Sequence, residues 1–460
     1  MVLSTAGRRC LRPSTFHQLS RLTATPATAT ATFTTSAPAQ TKSGKPAVKG
    51  MSRQMQQGQQ RIGRNTGPAA DQKPKAPFKP GERRDIRQRI VLSNTNAPAV
   101  DVAELSFEVS TREEYVGTVF AFGAKDIDSL RELDGFRRSQ DWKFFHRPST
   151  VMRKESLRLG EMMEWVQQQE ELPQTRCERL VLTGPKGSGK SVLLLQAMAW
   201  ALQRQWVVIN IPNAADLVIG HTEYEHDSAS GLWAQREYTR TLLNQIANAN
   251  RGVLKNLTLS KAYKLRNHDF PADFDLLHFC KVGSDDSAVS HEVFTVLLEE
   301  LSQQGRLPVL FTLDSLNFMM RESEYRDPDF NIIHAHDLAL PRYFIEYLNG
   351  TRKFAKGLVI GATSAAGAPR TDALEYALNG WKLPVYSNLD ERIAPSIKGA
   401  EVIKVGAMEK NEAKSLLEYC RESGLLREPT RLDEEKVAQR YTLSSGLPKE
   451  LVAGCVRLTA

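Results

Sequence analysis

The sequence predicts an α/β domain built on a parallel sheet flanked by helices, and three observations carry that expectation. An apolar run at residues 179–183 passes through a glycine-rich turn into a second, breaker-free apolar run at 192–202. A further apolar run, "LPVLFTLD" at residues 307–314, ends in a carboxylate. Other β-rich runs, "WVVINI" at 206–211, "LVIGAT" at 358–363 and "EVIKV" at 401–405, are separated by stretches with helical patterning. Such alternation gives parallel strands joined by helices.

Charge separates the amino-terminal part from the rest. The net charge is +8, yet residues 1–90 carry +14, leaving −6 for residues 91–460. A mildly acidic body is the opposite of what a nucleic-acid-gripping surface presents, whereas a basic arm suits a polyanion. Residues 1–40 contain arginines, many Ser, Thr and Ala, and no acid. That is the composition of a mitochondrial import presequence. Residues 41–95 continue as a basic, low-complexity arm ("MSRQMQQGQQRIGR", "KPKAPFKPGERR") expected to be disordered, with too little apolar surface to fold alone. RNA is a candidate partner for its arginines. The five cysteines are scattered, with no CxxC pair, which suits a reducing compartment. No apolar run approaches the length of a membrane span, so none is expected.

The glycine-rich turn carries the strongest chemical signal. Residues 184–191, "GPKGSGKS", match G-x-x-x-x-G-K-[ST] between an expected strand and an expected helix, the context of a phosphate-binding P-loop. Gly184, Gly187 and Gly189 let the backbone wrap closely, with Pro185, Lys186 and Ser188 between them. The helix N-terminus, entered through Val192, adds partial positive charge at the same point. Lys190 is expected to reach the β- and γ-phosphates, and Ser191 to ligate Mg²⁺. Asp314, closing the 307–314 strand, is expected to hold the same Mg²⁺ through water.

An extra strand between these two elements is what the additional-strand, AAA- and STAND-like branch of P-loop NTPases shows. There, a glutamate directly after the strand-terminal aspartate usually polarises the attacking water. Here that position is Ser315, too weak a base for the task. Glu322 or Glu324 would have to replace it. The site therefore predicts purine-nucleotide binding, as ATP, GTP or GDP with Mg²⁺, with no catalytic residue assigned. The alternative is an active NTPase switch. A polar sensor is expected near Thr363 or Ser364. Arg370 and Arg392 are open to two readings, phosphate sensor or ordinary salt-bridge partner.

Residues 406–460 predict a small helical lid. Ala413, Leu416, Leu417 and Cys420 fall close to one helical face, and two more helices are broken at Gly446-Leu447-Pro448. Pro448 is either a nucleotide-packing proline, as in STAND-type lids, or part of a plain inter-helix turn. The His334, His336 and Asp337 group in "IIHAHD" is expected in a solvated loop, without metal. His221 and His226 are expected at the surface, and "DFDLLHFC" in packing.

Together, "GPKGSGKSVLLLQAMAWAL", "VVINIPNAADLVIGHTEY", "LLNQIANANRGVL", "VLFTLDSLN" and "DWKFFHRPSTVMRKESLRL" resemble the death-associated protein three family of mitochondrial small-ribosomal-subunit proteins. The likeness covers roughly residues 100–460. It implies residues 96–170 as the family-type N-terminal region, 171–405 as the nucleotide-binding domain and 406–460 as the lid. It further implies mitochondrial small-subunit proteins as partners, and a bound purine nucleotide that helps order the chain.

Overall fold

In a computed structural model, residues 90–168, 176–228, 230–365, 367, 369–381, 389–426 and 432–457 are described. The import-like segment and nearly all of the basic arm lie outside them. Among these residues the central sheet has five strands, all paired in parallel. Its spatial order is Glu401–Lys404, Arg176–Thr183, Lys356–Ala362, Val309–Asp314 and Val207–Ile211. Strand Lys356–Ala362, the next strand of this sheet after Asp314, thus lies between the strand entering the glycine loop and the strand ending in Asp314.

The strands lack a polar face because both sides of the sheet are covered. Val181, Ile209, Phe311 and Val359 face one core, with Leu243 and Ile246 of helix Arg236–Ala249 and Phe294 of helix Ser287–Leu301. The alternate residues Leu180, Leu182, Val208, Leu310 and Ile360 face the other. That second core contains Leu193, Leu195 and Trp200 of helix Lys190–Gln203, and Leu159 and Met163 of helix Lys154–Gln167. Helix Lys190–Gln203 is apolar nearly all round because the sheet covers one side and residues 105–166 the other.

Residues ahead of the sheet fold onto this second face. Strands Val119–Ala121 and Ser149–Val151 form an antiparallel pair, and Phe122, Phe136 and Trp142 meet edge to face. Three helices, Lys410–Glu422, Glu434–Ser444 and Pro448–Arg457, close the chain. The expected apolar face of the first is buried at Ala413, Leu416, Leu417 and Cys420, in a core shared with Phe145 and Val151. The chain turns between the last two helices at Ser445 and Gly446, both in the left-handed region.

One expectation needs correction. His334 and His336 do not lie in a solvated loop; each is 4% exposed, and their rings sit edge-on 4.5 Å apart. Strand Ile332–His334 pairs with Glu322–Arg326, and Asp390 Oδ2 lies 3.1 Å from His334 Nε2. Burial lowers both imidazole pKa values, that of His336 to about 3. Among the described residues, no group of three or more His, Cys, Asp or Glu side chains is arranged to hold a metal. His221 and His226 are exposed, and Leu276, Leu277, Phe279 and Cys280 of "DFDLLHFC" are buried, both as expected.

Candidate functional site

A cavity of about 520 Å³ opens at the carboxyl end of the sheet, where Thr183 and Asp314 leave their strands. Crevices at this edge of open α/β sheets are the usual ligand sites. The glycine loop forms one wall through Lys186, Gly187, Gly189, Lys190, Ser191 and Val192. Gly187 and Gly189 have φ of +81° and +101°, so the sharp entry into the helix needs residues without a Cβ. Gly184, Pro185 and Ser188 line the back of the loop: the first two carbonyls accept hydrogen bonds from Lys190 Nζ at 2.8 and 2.9 Å. Burial lowers the Lys190 pKa, and the Asp314 carboxylate opposes that shift.

The expected metal pair is brought together. Ser191 Oγ donates to Asp314 Oδ2 at 2.6 Å, joining two oxygens from residues 123 positions apart. Ser315, left-handed with φ +66°, donates its amide to Asp314 Oδ1 at 2.6 Å. Thr363 and Ser364 line the same end; Thr363 Oγ1 donates to Leu182 O at 3.2 Å. Pro448 opens its helix and also lines the cavity. Arg392 pairs with Asp390 and Asp337 at the surface, Arg370 is exposed, and neither lines the cavity. Glu322 and Glu324 are exposed on their strand and do not line it either.

The opposite wall was not foreseen. Arg153, 5% exposed, donates Nη1 to Ser188 O at 2.7 Å and Nη2 to Ala407 O at 3.2 Å. It also pairs with Glu155 at 3.2 Å and Glu412 at 3.4 Å. One guanidinium thus ties the glycine loop to the preceding helix and to the C-terminal helices. Arg137 Nε lies 3.2 Å from Asp314 Oδ2. Part of the lining is apolar, with Val119, Phe145, Met408, Leu416, Tyr419 and Val452, and the Phe145 and Tyr419 rings stack at 5.3 Å. Apart from Leu416, no local pattern in the sequence marks these residues as cavity-lining, because most of the contacts that bring them together cross between distant segments.

The residues fit a phosphate-bearing ligand and a hard divalent cation on three counts. The loop is closed to any Cβ at Gly187, where one would lie 2.9 Å from Lys449 Cβ. Ser191 and Asp314 supply the oxygen ligands such a cation prefers. Two buried nitrogens of cavity-lining residues, Arg137 Nη2 and Gln140 Nε2, have no hydrogen-bond partner among the described residues.

Fold and site together define a class: an α/β domain with a five-stranded parallel sheet and a glycine-rich loop between strand and helix, set beside a strand-terminal aspartate. Residues 150–454 match the sequence profile of the mitochondrial ribosomal death-associated protein 3 family. The chain belongs to that family, and with it to the mitochondrion and its ribosome. It is similar to the small ribosomal subunit protein mS29 of Neurospora crassa, 34% identical over 382 residues, spanning 79% of this chain and 80% of the relative. The protein of the same name from Schizosaccharomyces pombe is 26% identical over 341 residues, spanning 72% and 69%. Among solved structures, Cdc6p from Pyrobaculum aerophilum has a TM-score of 0.33 at 14% identity, over 66% of this chain and 59% of that one. Drosophila ORC bound to DNA has a TM-score of 0.34 at 10% identity, over 83% and 68%. Likenesses that distant carry no functional weight.

Proposed function

We propose that this protein is a structural component of the mitochondrial small ribosomal subunit that holds a purine nucleotide with Mg²⁺ as a fixed, stabilising ligand and turns it over little or not at all. The assembly role is supported by the relatives named as small-subunit proteins. In this reading the glycine loop and Lys190 hold the phosphates, Ser191 and Asp314 hold the cation, and the apolar part of the lining receives the base. The bound cation would neutralise phosphate charge. The basic arm at residues 41–95 is the part of the chain suited to ribosomal RNA.

One observation supports the reading of little or no turnover. Asp314 and Asp141 are the only carboxylates among the described residues that line the cavity, and neither Glu nor His lines it. Asp314 is committed to Ser191, Arg137 and the Ser315 amide. Asp314 therefore has little capacity left to act as a general base for a water, and Asp141 is the other carboxylate that could supply one.

Nucleotide bound to the folded state alone stabilises it by about 4 kcal/mol when its concentration is a thousand times Kd. Purified protein is expected to carry nucleotide, and Lys190→Ala to lose it together with several degrees of Tm. An unchanged Tm after nucleotide is stripped would remove the stabilising role. Sustained phosphate release that depends on Lys190 would instead establish an NTPase.

A further inference from the structure

The loop end of the cavity contains a cation that the glycine-loop motif does not supply. Arg137 Nε approaches Asp314 Oδ2 at 3.2 Å, the same oxygen that accepts the Ser191 hydroxyl at 2.6 Å. Its Nη2 is buried, in a residue of the cavity wall, without a hydrogen-bond partner among the described residues. A buried guanidinium nitrogen left in that condition is costly, and the group it lacks is an acceptor, best an anionic one.

The side chain is not free to find that acceptor elsewhere, because its segment is fixed on three sides. Phe136 and Trp142, flanking it, are buried edge to face with each other at 5.8 Å. Leu133 O accepts from Asn210 Nδ2 at 2.8 Å, and Asn210 Oδ1 accepts from Thr312 Oγ1 at 2.8 Å, joining the segment to two sheet strands. Gly135 lies against the helix that follows the glycine loop, so closely that a Cβ there would sit 2.9 Å from Leu195 Cδ1. Gln140 repeats the pattern. Its Oε1 accepts from Trp142 Nε1 at 2.8 Å and from the Arg137 amide at 2.7 Å, while its Nε2 is buried with no partner among the described residues. Arg137 is therefore rigidly mounted beside Asp314, and Gln140 brings a second buried donor to the same cavity.

We propose that Arg137, supported by Gln140, reads the terminal phosphate of a bound nucleoside triphosphate. The proposal rests on the nucleotide reading above and deepens it. The loop amides would contact the phosphates that diphosphate and triphosphate share, and Lys190 would reach both these and the third. Arg137 stands beside Asp314, the carboxylate that would hold the cation, where it would meet the third phosphate rather than the two that both nucleotides share. Its forked donors suit a phosphate better than a lysine would. Arg137 thus makes the fixed ligand a triphosphate by preference, and its pairing with Asp314 holds it in place for that contact.

Calorimetric titration of the full chain with Mg²⁺ and either a diphosphate (ADP, GDP) or a non-hydrolysable triphosphate analogue of each tests this. Arg137→Gln is expected to weaken triphosphate binding by at least about tenfold, the effect of one charge-assisted hydrogen bond, and diphosphate binding by less than about threefold. Arg137→Lys keeps a charge beside Asp314 and carries the test should the glutamine variant not fold. It is expected to lose triphosphate affinity by more than about threefold with diphosphate affinity unchanged. Equal weakening of both ligands, or of neither, would overturn the proposal and reduce Arg137 to a structural partner of Asp314. Wild-type protein that binds neither ligand would overturn the nucleotide reading itself.

Discussion

The two walls of the cavity are built in opposite ways. The loop wall is one continuous run, Gly184 to Ser191, whose shape follows from glycine backbone freedom and a helix start. The facing wall is assembled from far-apart segments: Tyr419 Oη donates to Ser149 Oγ across 270 positions, and Arg153 reaches Glu412 across 259. Local chemistry can therefore specify a phosphate cradle by itself. Whatever closes over that cradle depends on the whole chain having folded.

The comparison breaks most visibly at Arg153. Arg153→Ala would leave Glu155 and Glu412 buried without their cation, and removing one partner of a buried ion pair costs about 3–5 kcal/mol. Urea unfolding measures the loss; a change below about 1 kcal/mol would mean that the long-range tie contributes little. The loop wall should respond less, and in a graded way. Gly187→Ala adds left-handed strain and a Cβ 2.9 Å from Lys449, for about 2 kcal/mol, whereas at Gly189 the nearest atom is 3.7 Å away and about 1 kcal/mol of strain remains. Equal costs at the two positions would show that the last helix does not press on the loop. The smallest effect is expected from Tyr419→Phe. It keeps the ring on Phe145 and removes one hydrogen bond to Ser149, for about 1 kcal/mol, read as a Tm decrease of a few degrees. No change there would place the hold of the C-terminal helices on packing alone.

The buried histidines show where local reading fails. "IIHAHD" looks polar, and nothing within it announces that Asp390, far along the chain, lies against His334. The same limit hid Arg137, whose neighbours "GFRRSQDW" read as an ordinary charged stretch. By contrast, the Glu322, Glu324, Arg370 and Arg392 alternatives could be weighed only once their distance from the cavity was known.

The sequence by itself determined the sheet strands, the glycine loop, the helix behind it and the aspartate across from it. Periodicity, glycine placement and a terminal carboxylate act over a few residues, and their physical consequences are local. The tertiary structure alone decided which strands are neighbours, that Ser191 and Asp314 meet, and that two arginines from the segment ahead of the sheet face the loop. Those outcomes depend on which distant apolar faces bury one another, and that is a property of the complete packing.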